Sequence, residues 1–173
     1  MDTSEVQAQL RGWFAGRLPD GWFTGAPEVI VDREEIAVVG VLPAPDFPEG
    51  AEEAERAGLA AGTVARFRED TRDQRIVIAR EAEHRFQRKV SWGAACEGHT
   101  EMFTNLSVPV MTRLRQPERI VLDTLVDSGV ARSRSDALAW CVRLVGKNAD
   151  EWLAELREAL SHVERARAAG PRL

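Results

Sequence analysis

The first part of the chain carries one helical and two strand-like hydrophobic patterns. Its helical spacing, with Leu10 and Phe14 on one face, predicts a short amphipathic helix over residues 4–17. β-branched residues dominate residues 28–31 and 36–42, and a short polar stretch joins the two runs. Runs of this kind predict strands that pair as a β-hairpin.

The middle of the chain is more polar, and its pattern is less regular. Three prolines within residues 43–48 mark a loop, and an acidic, alanine-rich stretch follows them. Helical spacing returns over residues 63–90, which predicts one helix or two consecutive helices. Because Gly93 and Gly98 interrupt the next segment, residues 91–104 are predicted to be a connector without regular structure.

Residues 107–114 have the alternation of a short β-strand. One face of that strand would carry Val108, Val110, Thr112 and Leu114. The other face would carry Pro109, Met111 and Arg113. Because proline has no N–H to donate to a neighbouring strand, Pro109 suits the start or the edge of a sheet.

Two helices separated by a tight turn are predicted after that strand. Pro117 suits a first helical turn, where its missing N–H leaves no bond unmade. Gly129 can end the first helix in a left-handed conformation, and Ser133 or Ser135 would cap the second. The first apolar stripe comprises Ile120, Val121, Leu125 and Val126, with Leu122 at its edge. The second stripe comprises Ala137, Leu138, Cys141, Val142 and Val145.

A last amphipathic helix is predicted after residue 148. Asn148 and Glu151 have the spacing of a capping box at its start, and Gly170 and Pro171 would end it. Its apolar positions, close to a heptad seam, are Trp152, Leu156, Ala159, Leu160 and Val163. Two heptads are too few to define a coiled coil, so packing against the rest of the protein is an equal alternative.

Several features between residues 106 and 147 follow one another in a recognisable order. They are a leucine that closes the strand (Leu114), a Pro-Glu helix start, an apolar-Asp-x-Leu-Val segment (residues 122–126), Gly129, and Ser-Arg-Ser-Asp-Ala at the second helix. In this order they resemble the ribbon-helix-helix family of bacterial repressors and antitoxins, over about residues 106–147. The resemblance implies an obligate homodimer whose paired strands form a ribbon in the major groove of double-stranded DNA.

That resemblance assigns DNA contacts to particular residues. Met111 and Arg113 would address base edges, Arg113 through the two acceptors of a guanine and Met111 through a thymine methyl. The N-terminus of the second helix would hold a phosphate. The phosphate-contacting residues would be Arg115, Arg132, Ser133, Arg134 and Ser135. Ser133 and Asp136 also fit a capping box in its acidic form.

Small size independently favours a partner chain. A strand and two short helices cannot bury two apolar stripes alone, so such a unit needs a second copy or another protein.

Charge is distributed unevenly along the chain, whose formal net charge is −5. Residues 28–56 hold nine acidic and two basic residues, which makes this acidic region a candidate surface for a protein partner. Residues 66–89 hold eight basic and five acidic residues, and residues 111–147 hold seven and four. A dimer doubles such an excess and can form a basic face, although solvated helix surfaces have the same composition.

Arg85, Arg88 and Lys89 form a second candidate nucleic-acid surface. Phe86 and Trp92 accompany them, as in proteins that stack bases on aromatic rings. Helical spacing nevertheless favours a core position for Phe86, while Trp92 is left open between a core and a surface position.

Signals for catalysis, metal binding and targeting are weak. Cys96 and His99 have the spacing of a zinc-ligand pair, but no second clear pair accompanies them, and a turn with a polar histidine is the simpler interpretation. Glycine-rich phosphate loops and nucleophile elbows do not occur, so we expect neither an enzyme nor a cofactor. Without a signal peptide or a long apolar run, a cytoplasmic protein with no membrane partner is expected, associated with the nucleoid if it binds DNA.

These patterns predict an α+β protein in three parts. Residues 1–104 would form an N-terminal domain with a hairpin and helices, residues 105–147 a ribbon-helix-helix dimerisation module, and residues 148–173 an amphipathic helix. The leading hypothesis is a dimeric bacterial transcription regulator. The alternative is a non-enzymatic interaction or antitoxin-like protein, in which the module only dimerises the chain and the acidic region binds a protein.

Overall fold

The structure, a computed structural model, describes residues 3–169 and mixes helices with one four-stranded sheet. Its elements are α1 (Thr3–Arg17), β1 (Glu28–Val31), β2 (Glu35–Val41), α2 (Glu53–Asp70), α3 (Arg72–Phe86), β3 (Lys89–Cys96), β4 (His99–Met102), α4 (Gln116–Asp127), α5 (Arg134–Asn148) and α6 (Asp150–Ala168). The chain divides into two compact units, one ending at Val108 and the other beginning at Pro109. The predicted α+β class is therefore confirmed.

The sheet of the first unit has the strand order β1-β2-β3-β4. β1 and β2 form the predicted antiparallel hairpin, whose turn is held by the Asp32 carboxylate accepting from the N–H groups of Glu34 and Glu35 at 2.8 and 2.7 Å. β2 and β3 are parallel, so α2 and α3 make the crossover between them, and β3 pairs antiparallel with β4.

The core of the first unit lies on one face of this sheet. Ile36 and Val38 of β2 and Trp92 of β3 are buried there with Phe14 of α1 and Val64 of α2. Alternate β2 residues are more exposed, as expected for a sheet with helices on one side. Trp13 of α1 and Trp22, which lies between α1 and β1, are partly buried and pack against the same core.

The prediction that residues 91–104 form a connector without regular structure is wrong, because this segment contains most of β3 and all of β4. Gly93 does not interrupt the strand: it lies in β3, one of the two inner strands, where a Cβ would come 2.6 Å from the Met102 sulfur and 3.0 Å from the Glu101 carbonyl oxygen. Trp92 is 3 % exposed, so it belongs to the core and offers no stacking platform.

The helical segment before β3 also differs in its bounds. α2 begins ten residues before the predicted start at residue 63, in the acidic stretch, whose Glu53 and Glu55 suit the positive end of a helix. The helix ends at Asp70, and α3 follows after Thr71, whose hydroxyl donates to the Phe67 carbonyl at 2.6 Å. α3 ends at Phe86, before the predicted end of the pattern at residue 90.

The second unit consists of α4, α5 and α6. The predicted capping box at Asn148 is wrong: Asn148 is the last residue of α5, and its side chain donates to the Leu144 carbonyl at 2.8 Å. α6 begins at Asp150 without a side-chain cap. The predicted end at Gly170 and Pro171 lies outside the described residues. Within the described residues, no helix is both long and apolar enough to cross a membrane.

Candidate nucleic-acid interface

The turn between α4 and α5 forms as its sequence predicts. Pro117 lies in the first turn of α4, and Gly129 has a φ of 76°, a conformation that glycine adopts without strain. The N–H groups of Val130 and Ala131 donate to the Leu125 carbonyl at 3.0 and 3.1 Å, which satisfies the end of α4. The chain therefore reverses sharply into α5.

The core that holds α4 against α5 is very small. Only Leu122, Ala131 and Ala137 are buried among the described residues of the second unit. Leu114, Leu125, Val126, Leu138 and Cys141 pack against them in part. The edge residue of the predicted stripe, Leu122, is thus the central one, because Ile120 and Val121 are each more than half exposed. Val142 and Val145 of the second stripe are exposed as well.

The predicted ribbon strand is not formed within a single chain. Residues 104–115 have no regular secondary structure, and none of the described strands pairs with them. Leu114 packs against the α4–α5 core as expected, whereas Val108, Val110 and Thr112 are exposed instead of facing inward. A strand exists only where a second strand supplies hydrogen bonds, so a ribbon here requires another chain.

The two residues proposed to address base edges lie on this exposed segment. Met111 is 96 % exposed, and Arg113 is exposed beside it. Arg115 directly precedes α4 in an extended conformation. In the part of the chain that the structure describes, neither Arg113 nor Arg115 forms an ion pair, so both guanidinium groups are available to a ligand.

Ser133 caps the N-terminus of α5. Its Oγ accepts from the N–H of Asp136 at 3.2 Å, whereas Ser135 is an exposed residue inside the helix and caps nothing. Asp136 does not complete the predicted box on Ser133; its carboxylate accepts from the N–H of Arg132 at 3.1 Å. This backbone hydrogen bond is the main cause of a lowered pKa at Asp136, and the Arg132 side chain adds to it.

Two of the predicted phosphate contacts are engaged in ion pairs. Arg134 donates to Asp123 of α4 through two nitrogens, at 2.6 and 2.7 Å, and thereby ties α5 to α4. This hydrogen bonding lowers the pKa of the Asp123 carboxyl and raises that of Arg134. Arg132 pairs with Asp136 at 3.3 Å while 94 % of its side chain is exposed. Exposed pairs of this kind are weak enough to exchange for a phosphate.

The second candidate surface, in the first unit, is only partly brought together. Arg88 and Lys89 line an open cavity of about 520 Å³ beside the β1–β2 turn, but Arg85 does not. The Arg85 guanidinium lies 5.7 Å from the ring centre of the adjacent Phe86. Arg88 donates to the Asp32 carbonyl at 2.8 Å, and Lys89 pairs with Glu83 at 3.1 Å.

Two further cations, Arg33 and Arg80, line the same cavity, although the sequence pattern did not group them with Arg88 and Lys89. Arg33 comes near Lys89 because of the sheet register: Glu35 of β2, two residues after Arg33, lies opposite Lys89 of β3. A charge count along the chain cannot reveal a neighbour of this kind.

The spacing of Cys96 and His99 has a structural explanation. These residues form the last pair of the β3–β4 hairpin, and Glu97 and Gly98 between them have φ values of 46° and 81°. Two consecutive positive φ values are typical of a two-residue hairpin turn. No group of three or more potential metal ligands occurs among the described residues.

Fold and site together define an α+β protein with a sheet unit and a separate three-helix unit that carries the candidate interface. Residues 8–102 match the N-terminal domain of Rv1265-like proteins, and residues 115–167 match the Mb1296 C-terminal domain. The chain belongs to the family of Rv1265-like proteins. Neither family description mentions a ribbon-helix-helix fold.

Relatives of high identity occur in mycobacteria. The chain is 61 % identical over 161 residues to protein Rv1265 of Mycobacterium tuberculosis (strain ATCC 25618 / H37Rv) and to protein Mb1296 of Mycobacterium bovis (strain ATCC BAA-935 / AF2122/97), both described as uncharacterized. The alignment covers 93 % of this chain and 70 % of each relative. No solved structure matches the chain significantly.

Proposed function

We propose that this protein is a dimeric DNA-binding regulator, in which the segment before α4 pairs with its counterpart to form a ribbon in the major groove. The observation that carries the proposal is the incompleteness of the α4–α5 pair. It buries three residues, while Ile120 and Val121 of α4 and Val142 and Val145 of α5 remain exposed. Exposed apolar surface of this extent marks an interface.

The segment before α4 has the properties that a groove-binding ribbon needs. Val108, Val110 and Met111 are exposed, and Val110 reaches 86 % exposure, which is unusual for an apolar side chain without a partner. Pairing of two such segments would bury the valine side of the ribbon and leave Met111 and Arg113 on the other. Arg113 would then face guanine O6 and N7, and Met111 a thymine methyl.

Backbone contacts would come from the start of α5 and from Arg115. The N–H groups of Arg134 and Ser135 lie in the first turn of α5, where a helix offers no acceptors of its own. A phosphate there would compete with the Asp136 carboxylate for Arg132, and with Asp123 for Arg134. The protein would therefore exchange internal ion pairs for phosphate contacts on binding.

The same ion pairs support a second candidate function. Because Arg132 and Arg134 already have carboxylate partners, α4 and α5 can serve purely as a dimerisation module. The acidic region, whose Glu49, Glu52, Glu53 and Glu55 are all exposed, would then bind a protein, as in an antitoxin-like chain.

Fluorescence anisotropy separates the two functions. A duplex from upstream of the protein's own gene and a scrambled duplex are titrated at about 50 and 200 mM salt. If a dimer neutralises about six to ten phosphates, binding weakens by about 10³–10⁵-fold between these concentrations. A regulator prefers the upstream duplex, whereas equal binding to both indicates an architectural protein. Absence of binding at low salt contradicts the proposal and favours the interaction protein.

A further inference from the structure

α6 presents a long apolar stripe that the described part of its own chain leaves uncovered. Trp152, Leu156, Leu160 and Val163 are between 42 and 62 % exposed. Their spacing places them on one face of the helix, over a length of about 17 Å at 1.5 Å per residue. Burial of such a stripe is a principal source of stability for a helix in water, so an isolated α6 lacks it.

Charge along α6 is polarised from one end to the other. Asp150 and Glu151 lie in its first turn, and Arg165 and Arg167 in its last. The helix thus begins with two acidic residues and has two arginines in its last turn. The charged residues between them lie outside the apolar stripe by helical spacing, and they are Glu155, Arg157, Glu158 and Glu164. A second α6 laid antiparallel against it would bring each acidic end beside a basic end, whereas a parallel pair would bring like charges together.

A two-fold symmetric interface must be complementary to itself, because the same surface is present on both sides. α6 meets this condition in the antiparallel arrangement, where Trp152 faces Val163 of the second copy and the stripe is covered along its whole length. We propose that α6 pairs antiparallel with α6 of a second copy of this chain. The proposal does not depend on DNA binding or on the ribbon.

The pairing of two helices alone would be weak. Four large side chains from each helix bury less than the roughly 1,600 Å² of a standard stable interface. Association through α6 would therefore be weak in isolation and would strengthen when a second contact, such as the proposed ribbon, tethers the same chains.

Sedimentation equilibrium of the full chain at micromolar concentrations measures self-association and tests whether the apolar stripe of α6 mediates it. Leu160→Asp, in the stripe, should weaken self-association by about tenfold or more, because a buried carboxylate without a partner is strongly disfavoured. Ser161→Asp adds the same charge one residue away, on the opposite face, and should leave association unchanged. Equal association of both variants and the wild type overturns the proposal.

Cysteine cross-linking tests the orientation, and does so even if Leu160→Asp unfolds α6. The cysteine variants are made in a chain that also carries Cys141→Ser, so that Cys141 cannot react. Cys96 is kept because it is fully buried. Trp152→Cys with Val163→Cys should cross-link two chains through a short bismaleimide. Each single variant should not, because like positions lie about 17 Å apart in an antiparallel pair. Cross-linking of the single variants, or none in the double variant, overturns the proposal.

A separate variant distinguishes this interface from the proposed ribbon dimer. Val142→Asp, on the exposed face of α5, should disrupt the ribbon dimer and, at protein concentrations high enough for α6 to associate without it, leave the α6 cross-link in place. Loss of DNA binding with an intact cross-link is the outcome that both proposals predict, whereas intact DNA binding in this variant would argue against the proposed ribbon alone. A missing cross-link in the double cysteine variant that keeps Val142, with DNA binding intact, would argue against α6 pairing alone.

Discussion

Arg113 is the residue on which base recognition depends in the proposed function. It is exposed on the segment before α4 and has no ion-pair partner in the described part of the chain. Arg113→Ala should reduce the preference for the upstream duplex over the scrambled one by about 1–3 kcal/mol, because a bidentate guanine contact is lost. Competition anisotropy at fixed salt measures this difference.

Matched variants show whether the effect is specific to that side chain. Arg157→Ala removes the same charge from an exposed position on α6 and should leave the preference unchanged. Arg115→Ala should weaken binding to both duplexes equally and lower the salt slope by about one phosphate contact. A preference that survives Arg113→Ala would rule out base recognition by this residue.

Gly93 lies at a tightly packed position of β3, one of the two inner strands of the sheet. A methyl group there would meet the Met102 sulfur, the Glu101 carbonyl oxygen and Val39, so Gly93→Ala should destabilise this unit by about 1–3 kcal/mol. Urea unfolding followed by tryptophan fluorescence measures the change. Gly58→Ala, in an exposed part of α2 with nothing within 4 Å, should instead stabilise the unit by up to about 1 kcal/mol. Unchanged stability for Gly93→Ala would contradict the described sheet packing.

At the scale of the elements, the ion pair between Asp123 and Arg134 connects α4 to α5. The pKa of Asp123 is lowered in the folded chain by its hydrogen bonds to Arg134. A lowered carboxyl pKa adds stability above its unfolded value of about 3.9, and that stability is lost as the pH falls through the folded value. Acid should therefore loosen α4 from α5.

Asp123→Asn removes this effect. We expect the variant to show faster amide hydrogen exchange in α4 and α5 than the wild type near pH 7, with a smaller difference near pH 3. Hydrogen exchange, corrected for its intrinsic pH dependence, resolves these helices from the rest of the chain. Asp127→Asn, on the same helix and without an ion pair among the described residues, is the control. An equal difference at both pH values would contradict a role for the carboxylate charge.

At the scale of the whole molecule, the two units should differ in how stability depends on concentration. The first unit has an extensive core of its own, whereas only three of the described residues of the second unit are buried. If the second unit completes its core with a partner chain, its thermal transition should move to higher temperature as protein concentration rises. The transition of the first unit should not move.

Scanning calorimetry over a wide concentration range tests this expectation. Val142→Asp should lower the midpoint of the concentration-dependent transition, because the exposed face of α5 then carries a charge. A second transition that does not move with concentration in the wild type would contradict self-association through this unit.

Local signals were enough where neighbouring residues decide the structure. Pro117 and Gly129 predicted the start and the end of α4, and the structure bears out both. The sequence left Ser133 and Ser135 as alternative caps of α5, and the structure has Ser133. The β1–β2 hairpin was predicted for the same reason, since its strands are adjacent in sequence. Turns, caps and hairpins depend on a few consecutive residues, so they can be recognised in the sequence.

Long-range contacts decided the features that the sequence did not indicate. Gly93 predicted a loop, but in the folded chain it lies in the inner strand β3, paired with Val39 of β2 and Met102 of β4. Arg33 and Arg80 join Arg88 and Lys89 at one cavity only because the sheet and the crossover bring them together. The partner of Arg134, Asp123 of the preceding helix α4, likewise became visible only in the folded chain.

The sequence by itself determined the α+β class, the hairpin, the α4–turn–α5 unit and the apolar stripe of α6, because periodicity and turn chemistry are local properties. Tertiary structure alone decided that residues 89–102 form the β3–β4 hairpin of the sheet and that Leu122 is the centre of the α4–α5 core. It also decided that the segment before α4 has no strand partner within its own chain. These outcomes depend on which surfaces meet, and contact between distant segments is a property of the folded chain.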